Sequence, residues 1–238
     1  MNHVILLSGG TGSRINSDIP KQYIKKDGMM MVTRALKILV SCGRTDDVFI
    51  VADKEWREAL DENIKESGVD VSKLKGYVDP GESRQGSVKN GLEAVEKSCG
   101  ASGISGDTVL VHDAARPFIT LPFLERCYEA LPGHDGVMPV LPMKDTIYRS
   151  AGGKSVSELL NRDELFAGQA PELFDLTKYI KANRALYGKA IDLIRGASEP
   201  AVLAGMDIVM IPGDEGNFKV TTDSDLERYL NKAGGESI

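Results

Sequence analysis

Short apolar runs separated by longer stretches of helical spacing restrict this chain to few architectures. The runs are "HVILLS" (3–8), "DVFIVA" (47–52), "DTVLVH" (107–112), "GVMPVL" (136–141) and "DIVMIP" (207–212). Rich in Val, Ile and Leu and barely interrupted by polar residues, they have the pattern of strands covered on both faces. Between them, "VTRALKILV", "KEWREALDENIKES", "RQGSVKNGLEAVEKS" and "PFLERCYEAL" carry apolar residues every three or four positions, as amphipathic helices do. Alternation of the two predicts an α/β fold: an open, mostly parallel twisted sheet with helices on both faces. In such sheets ligands bind outside the carboxyl ends of the strands, so the loops that follow the apolar runs are where chemistry is expected.

The bounds agree with one domain spanning 1–238. The 238 residues are 42% hydrophobic, enough to bury a core without disulfides. Cys42, Cys99 and Cys127 are scattered, odd in number and free of any C-x-x-C pair, which favours a reducing, cytoplasmic setting over a disulfide framework or a zinc knuckle. "MNHVILLSGG" lacks a basic leader and a cleavage site, and no apolar run reaches membrane-spanning length. A net charge of −6 argues against nucleic acid as a partner and makes each basic residue a local question.

One stretch departs from the alternation. From Lys144 to Phe174, "KDTIYRSAGGKSVSELLNRDELFAGQAPELF" mixes β-favouring pairs with turn residues, so an arm leaving the sheet is expected over about 144–174. It is either a surface excursion or a clasp for a second copy of the chain.

The loop after the first run holds Gly9, Gly10, Gly12 and Arg14, then Pro20 and Lys21. The dinucleotide fingerprint fails because Ile15 stands at its last glycine, which disfavours an NAD-dependent dehydrogenase. A P-loop fails as well: Gly153-Lys154-Ser155 has Tyr148 where the first glycine is required. What remains is a glycine-rich turn that can approach phosphates closely, with two cations beside it; an ordinary tight turn is the plain alternative.

After the third run comes "HDAARPF". Asp113 at a strand end beside a phosphate loop suits Mg²⁺, which prefers one or two carboxylates plus substrate phosphates; equally, it can cap the next helix and pair with Arg116. His112 reads as a hydrogen-bonded core residue, since no second His or Cys is spaced to join it. "DPGESRQGSV" (79–88) can read a base or hold its ribose through Ser87 and backbone groups, with Arg84 bracing the loop. "GNFKVTT" offers Lys219 ahead of "TTDSDL", a capped helix start.

In order along nearly the whole chain, "SGGTGSRINSDIPKQY", "GESRQGSVKNGL", "VHDAARPF", "KDTIY", "NRDELFAGQAP" and "GNFKVTT" resemble the cytidylyltransferases that make CDP-alditols. The likeness is foremost to the methylerythritol-phosphate enzymes of isoprenoid precursor synthesis and secondarily to the ribitol-phosphate enzymes. It implies a Rossmann-like nucleotidyltransferase, Mg²⁺-dependent and homodimeric through an arm, that joins CTP to a polyol phosphate and releases pyrophosphate. By position it assigns Arg14 and Lys21 to the CTP phosphates and transition state, Lys219 to the α-phosphate and Asp113 to the metal. Ser8, Gly9, Gly10, Gly12, Gly81 and Ser87 fall at nucleotide-binding positions. Arg116, Asp145 and Thr146 fall where the acceptor phosphate binds, and Arg162 where the opposite subunit's arm reaches it.

Pro80-Gly81, Ala170-Pro171-Glu172, Ser198-Glu199 and Gly216 depart from the family pattern; Glu172 is expected to add negative charge to the arm. A relative that binds CTP without catalysis is the alternative of another class.

Overall fold

The structure, a computed structural model, describes residues 1–10, 15–100, 103–188 and 191–232. The strands and helices follow one another as β1 (Asn2–Leu7), β2 (Lys25–Lys26), β3 (Met29–Met30), α1 (Met31–Ser41), β4 (Asp47–Val51), α2 (Lys54–Glu66), β5 (Leu74–Val78), α3 (Arg84–Cys99), β6 (Thr108–Asp113), α4 (Leu121–Ala130), β7 (Gly136–Pro142), β8 (Ile147–Arg149), β9 (Glu158–Leu160), β10 (Phe166–Gly168), β11 (Glu172–Asp175), α5 (Leu176–Arg184), α6 (Glu199–Leu203), β12 (Ile208–Pro212) and α7 (Asp223–Asn231).

The main sheet has eight strands in the order β10-β7-β11-β6-β1-β4-β5, with β12 also on β7. Gly136 pairs with both Phe174 and Ile208, and Val140 with both Gly168 and Pro212. Short β10 and β11 therefore share one side of β7, while β12 takes the other. These two run antiparallel to their neighbours; β1, β4, β5, β6, β7 and β12 are parallel, so their carboxyl ends lie along one edge.

Successive side chains of β1 divide between two cores. Val4 and Leu6 join Leu36, Leu39, Leu60 and Phe123 under α1, α2 and α4, whereas Ile5 and Leu7 join Val88, Leu92, Phe174 and Tyr179 under α3 and α5. With both pleat faces buried, the apolar run had no polar positions to alternate with. The five expected strands and four expected helices are all present, their ends shifted by at most one residue.

The excursion from the sheet is shorter than expected. Residues 166–168 and 172–175 return to the main sheet as β10 and β11, leaving the β8–β9 hairpin and its flanks, about 144–165, outside it. Apolar Phe166, Ala170, Leu173 and Phe174 explain the return: the last three are buried. Glu172 accordingly sits in β11, buried beneath the strand-end edge rather than in the arm, where burial raises its pKa.

Candidate active site

Four backbone segments meet at the carboxyl edge of β1 and β6 around a cavity of about 380 Å³. The first is the turn after β1. Ser8 Oγ donates to Val51 O (2.9 Å), and Ser8 O accepts from Gln22 Nε2 (2.6 Å) and the Tyr23 hydroxyl (3.0 Å). Gln22 Nε2 also donates to Gly10 O at 2.7 Å. Buried Gln22 and Tyr23 thus staple the turn from below, consuming its carbonyls. Gly9, Gly10 and Lys21 line the cavity with Ser8.

The second segment is the turn from Asp79 to Ser83. A Cβ on Gly9 would stand 2.4 Å from Pro80 Cβ, and one on Gly81 would stand 2.4 Å from the Gly86 carbonyl carbon and 2.7 Å from Ser87 N. Neither position has room for a side chain, Gly9 because the Pro80 ring lies against it and Gly81 because the start of α3 does. Ser87 Oγ accepts from Gly81 N at 3.1 Å, so its hydroxyl fixes this turn while lining the cavity. Ser83 caps α3, accepting from Gly86 N at 3.1 Å. Gly81→Ala should lower Tm by several degrees, because the clash is with helix backbone that cannot yield; overpacking of this kind costs about 1–3 kcal/mol, and each kcal/mol shifts Tm by roughly 2–4 °C at this size. An unchanged melting curve would show that the turn relaxes freely.

The third segment ends β6. Val109, Val111 and Asp113 share a pleat face, the one covered by α3. Asp113 is 8% exposed and is gripped from two sides. Arg84 donates to Oδ1 through Nη2 (2.9 Å) and Nε (3.2 Å), and Lys219 Nζ donates to Oδ2 at 2.8 Å. Burial alone would raise the Asp113 pKa, but Arg84 and Lys219 overcome it and hold the carboxyl well below the ordinary carboxylate range. Asp113 is therefore an anion at any working pH.

The fourth segment brings Lys219. Val220 N donates to Ala115 O (2.8 Å), Val220 packs with Ile15, Met31 and Tyr229, and Phe218 lies under the Arg228 guanidinium at 3.9 Å. These contacts fix the chain on both sides of Lys219. α7 begins with a full capping box between Thr222 and Asp225, as the sequence suggested.

Ser8, Gly9, Gly10, Lys21, Gly81, Ser87, Asp113 and Lys219 are thus brought together as expected. Gly12 and Arg14 lie outside the described residues. The acceptor residues are not drawn into this cavity. Arg116 Nη1 donates to Asn217 O (2.8 Å), which turns its guanidinium toward the C-terminal loop. Asp145 and Thr146 are exposed between β7 and β8. Arg162 opens a short helical turn in the arm, where Nη1 donates to Lys144 O at 3.0 Å.

Two groups were missed. Arg84 is no brace: it lines the cavity as a direct partner of Asp113. The signal was its place as first residue of α3, where the helix dipole disfavours a cation unless an anion faces it. Buried Asn217 donates through Nδ2 to Ala170 O (2.8 Å), tying the Lys219 loop to the sheet. His112, as expected, is a core residue: Nε2 meets Arg116 O (3.1 Å), and full burial lowers its pKa to about 4. It is neutral near pH 7 and enclosed, unsuited to general-base work.

A family model described as 2-C-methyl-D-erythritol 4-phosphate cytidylyltransferase matches residues 2–230. A relative so named from Cereibacter sphaeroides (strain KD131) is 32% identical over 237 residues, covering 97% of both chains. Another, from Geobacillus thermodenitrificans, is 30% identical, covering 95% of this chain and 94% of its own. The "Bifunctional enzyme IspD/IspF" of Maricaulis maris is 30% identical over 98% of this chain but 57% of its own length; the chain spans about half the length of the bifunctional relatives it matches. The solved 2-C-methyl-D-erythritol 4-phosphate cytidylyltransferase of Francisella tularensis superposes with a TM-score of 0.78 over 96% of this chain and 97% of that one, at 24% identity. That likeness speaks to the fold.

Proposed function

The chain belongs to the 2-C-methyl-D-erythritol 4-phosphate cytidylyltransferase family, and from that premise we propose that it joins CTP to 2-C-methyl-D-erythritol 4-phosphate and releases pyrophosphate. One observation carries the reading: a buried carboxylate, Asp113, held between Arg84 and Lys219 on the floor of a cavity walled by two glycine turns. Those turns bring backbone against a nucleotide, and the cations supply what a triphosphate lacks.

In the proposed reaction a phosphate oxygen of the acceptor attacks the α-phosphorus of CTP in line. A new P–O bond forms as the bond to the β-phosphate breaks, and pyrophosphate leaves with that electron pair. The attacking monoester is already ionised near pH 7, so no general base is required. The protein has to gather two anions and neutralise the charge that grows between them, as Lys21, Lys219, Arg84 and, from beyond the described residues, Arg14 would do.

Asp113 also fits Mg²⁺: it is a buried hard carboxylate lining the cavity, and triphosphate oxygens would complete the donor set. Asp113 would hold the ion, and Lys219, which now donates to its Oδ2, would turn to the triphosphate. Bound there, Mg²⁺ would neutralise charge on the phosphates.

In this reading the acceptor binds between the subunits of a homodimer. Tyr148 (57%), Val156 (64%) and Leu159 (63%) expose apolar surface on the β8–β9 hairpin, a surface suited to a second copy, and Arg162 stands at its base. Free thiols at Cys42, Cys99 and Cys127 support a reducing, cytoplasmic setting. No helix among the described residues is long and apolar enough to cross a membrane.

The test is pyrophosphate release with Mg²⁺, each of CTP and ATP, and a panel of methylerythritol, ribitol, arabinitol and glycerol phosphates. CTP with the methylerythritol ester should turn over fastest, and excess chelator should stop it. Equal rates with ATP would reject the base-reading role of the second turn. Preference for ribitol phosphate would move the acceptor, and binding of CTP without turnover would mark a non-catalytic relative.

A further inference from the structure

At the sheet edge opposite the cavity, three unlike donor atoms converge. His3, the second residue of β1, is fully buried; Cys99 ends α3, and Asp107 directly precedes β6. His3 Nε2 lies 3.3 Å from Asp107 Oδ2, while Cys99 Sγ lies 3.6 Å from His3 Nε2 and 4.0 Å from Asp107 Oδ2. Among the described residues, these are the His, Cys and carboxylate donors that all lie within 4.8 Å of one another. Around a tetrahedral zinc ion, with bonds of about 2.1 Å to nitrogen and oxygen and about 2.3 Å to sulfur, ligand atoms stand roughly 3.4–3.6 Å apart. The triangle is already that size to within a few tenths of an ångström, so no side chain has to swing.

The far side of the imidazole strengthens the case. His3 Nδ1 is buried, makes no hydrogen bond, and lies 3.3 Å from Asp47 Oδ2; Lys75 Nζ holds the other Asp47 oxygen at 3.0 Å. One ring thus faces a carboxylate at each nitrogen. In either neutral tautomer one nitrogen lone pair confronts a carboxylate oxygen. A cation on Nε2 removes the conflict and leaves Nδ1–H for Asp47, the carboxylate–histidine–metal arrangement that metal sites use to orient the ring. The remaining Asp107 oxygen takes the Met1 amine.

We propose that His3 Nε2, Cys99 Sγ and Asp107 Oδ2 bind a zinc-class divalent cation, with water as the fourth ligand. On binding, the Cys99 thiol gives its proton to solvent and the thiolate takes the metal. His3 and Ser8 are five residues apart on an extended strand, about 17 Å, so the ion is too far from the cavity to take part in transfer. It ties the start of β1 to the end of α3 and the entry of β6.

The test is titration of the full, chelator-stripped chain with Co²⁺. One equivalent should produce the near-ultraviolet absorption of a thiolate bound to cobalt, and Zn²⁺ should displace it. The band should vanish in Cys99→Ser and in His3→Gln yet persist in Lys219→Ala, which separates this site from the cavity. With Zn²⁺ at a hundred times its Kd, Tm should rise by about 5–10 °C in the wild type and stay put in Cys99→Ser. Should buried His3 prove intolerant of change, Asp107→Asn provides the second ligand variant. Absence of the cobalt–thiolate band, or its survival in Cys99→Ser, would overturn the proposal and leave the cluster as an imidazole packed between carboxylates.

Discussion

Lys219→Ala should lower kcat for pyrophosphate release by a hundredfold or more while leaving the protein folded. The Lys219 side chain is one-third exposed and meets Asp113 through Nζ alone, whereas Arg84 grips the same carboxylate through two nitrogens. A triphosphate can therefore draw Lys219 away without stranding Asp113. Once there, its charge opposes the negative charge that grows on the α-phosphoryl group, a contact whose loss typically costs about 3–4 kcal/mol, or two to three powers of ten in rate. Stability should change little, because Phe218 and Val220 anchor the segment independently and Arg84 still neutralises Asp113. Since the benefit is greatest in the transition state, kcat should fall much further than the KM for CTP rises. A near-normal kcat in a variant with an unaltered melting curve would remove Lys219 from the mechanism.

That cluster also marks where the sequence was legible and where it was not. Strands β1, β4, β6 and β7 announced themselves because each is an apolar run with neighbours on both faces, and β12, an edge strand without a fully buried residue, was legible from its unbroken apolar run alone. β5, "LKGYV", did not: it is an edge strand with a glycine and only intermediate burial, so its signal was that of a loop. β10 and β11 were hidden by their length of three and four residues and by the Gly-Gln-Ala-Pro break between them. Glu172 was misplaced for the same reason, since a charged residue beside a turn looks solvated until the register sets it opposite Val111. Burial raises its pKa, and nearby Arg84 only partly offsets that. Burial thus works against a charge on Glu172, and Arg84 works for one. Lys219 and Asp113 could be paired from sequence only as members of one strand-end ring; that Arg84 completes the pair depends on how α3 docks, which local pattern does not encode. The acceptor residues are the counterpart. Among the described residues Asp145, Thr146 and Arg162 do not line the cavity at the strand ends, and the proposed shared site would have a second subunit bring such residues to it.

Mixing Arg162→Ala with Lys219→Ala subunits should restore up to roughly a quarter of wild-type activity, although each parent is inactive. The arithmetic follows from a two-fold dimer with shared sites. At equal mixing about half of the dimers are hybrids; in each, one site combines both lesions and the other has an intact Lys219 with an intact Arg162 from the partner. The geometry favours this arrangement. Within one chain Arg162 turns to the Lys144 carbonyl on an exposed arm and lines no part of the cavity, and the hairpin beside it carries exposed Tyr148, Val156 and Leu159. An apolar hairpin seeking cover and a guanidinium at its base together suit delivery of a bidentate phosphate donor to a neighbour, a role in which Lys is no substitute. Arg162→Lys should accordingly raise KM for the polyol phosphate far more than for CTP. If subunit exchange is demonstrated by mass-tagged protomers and the mixture stays inactive, Arg162 acts within its own chain and the hairpin is local structure.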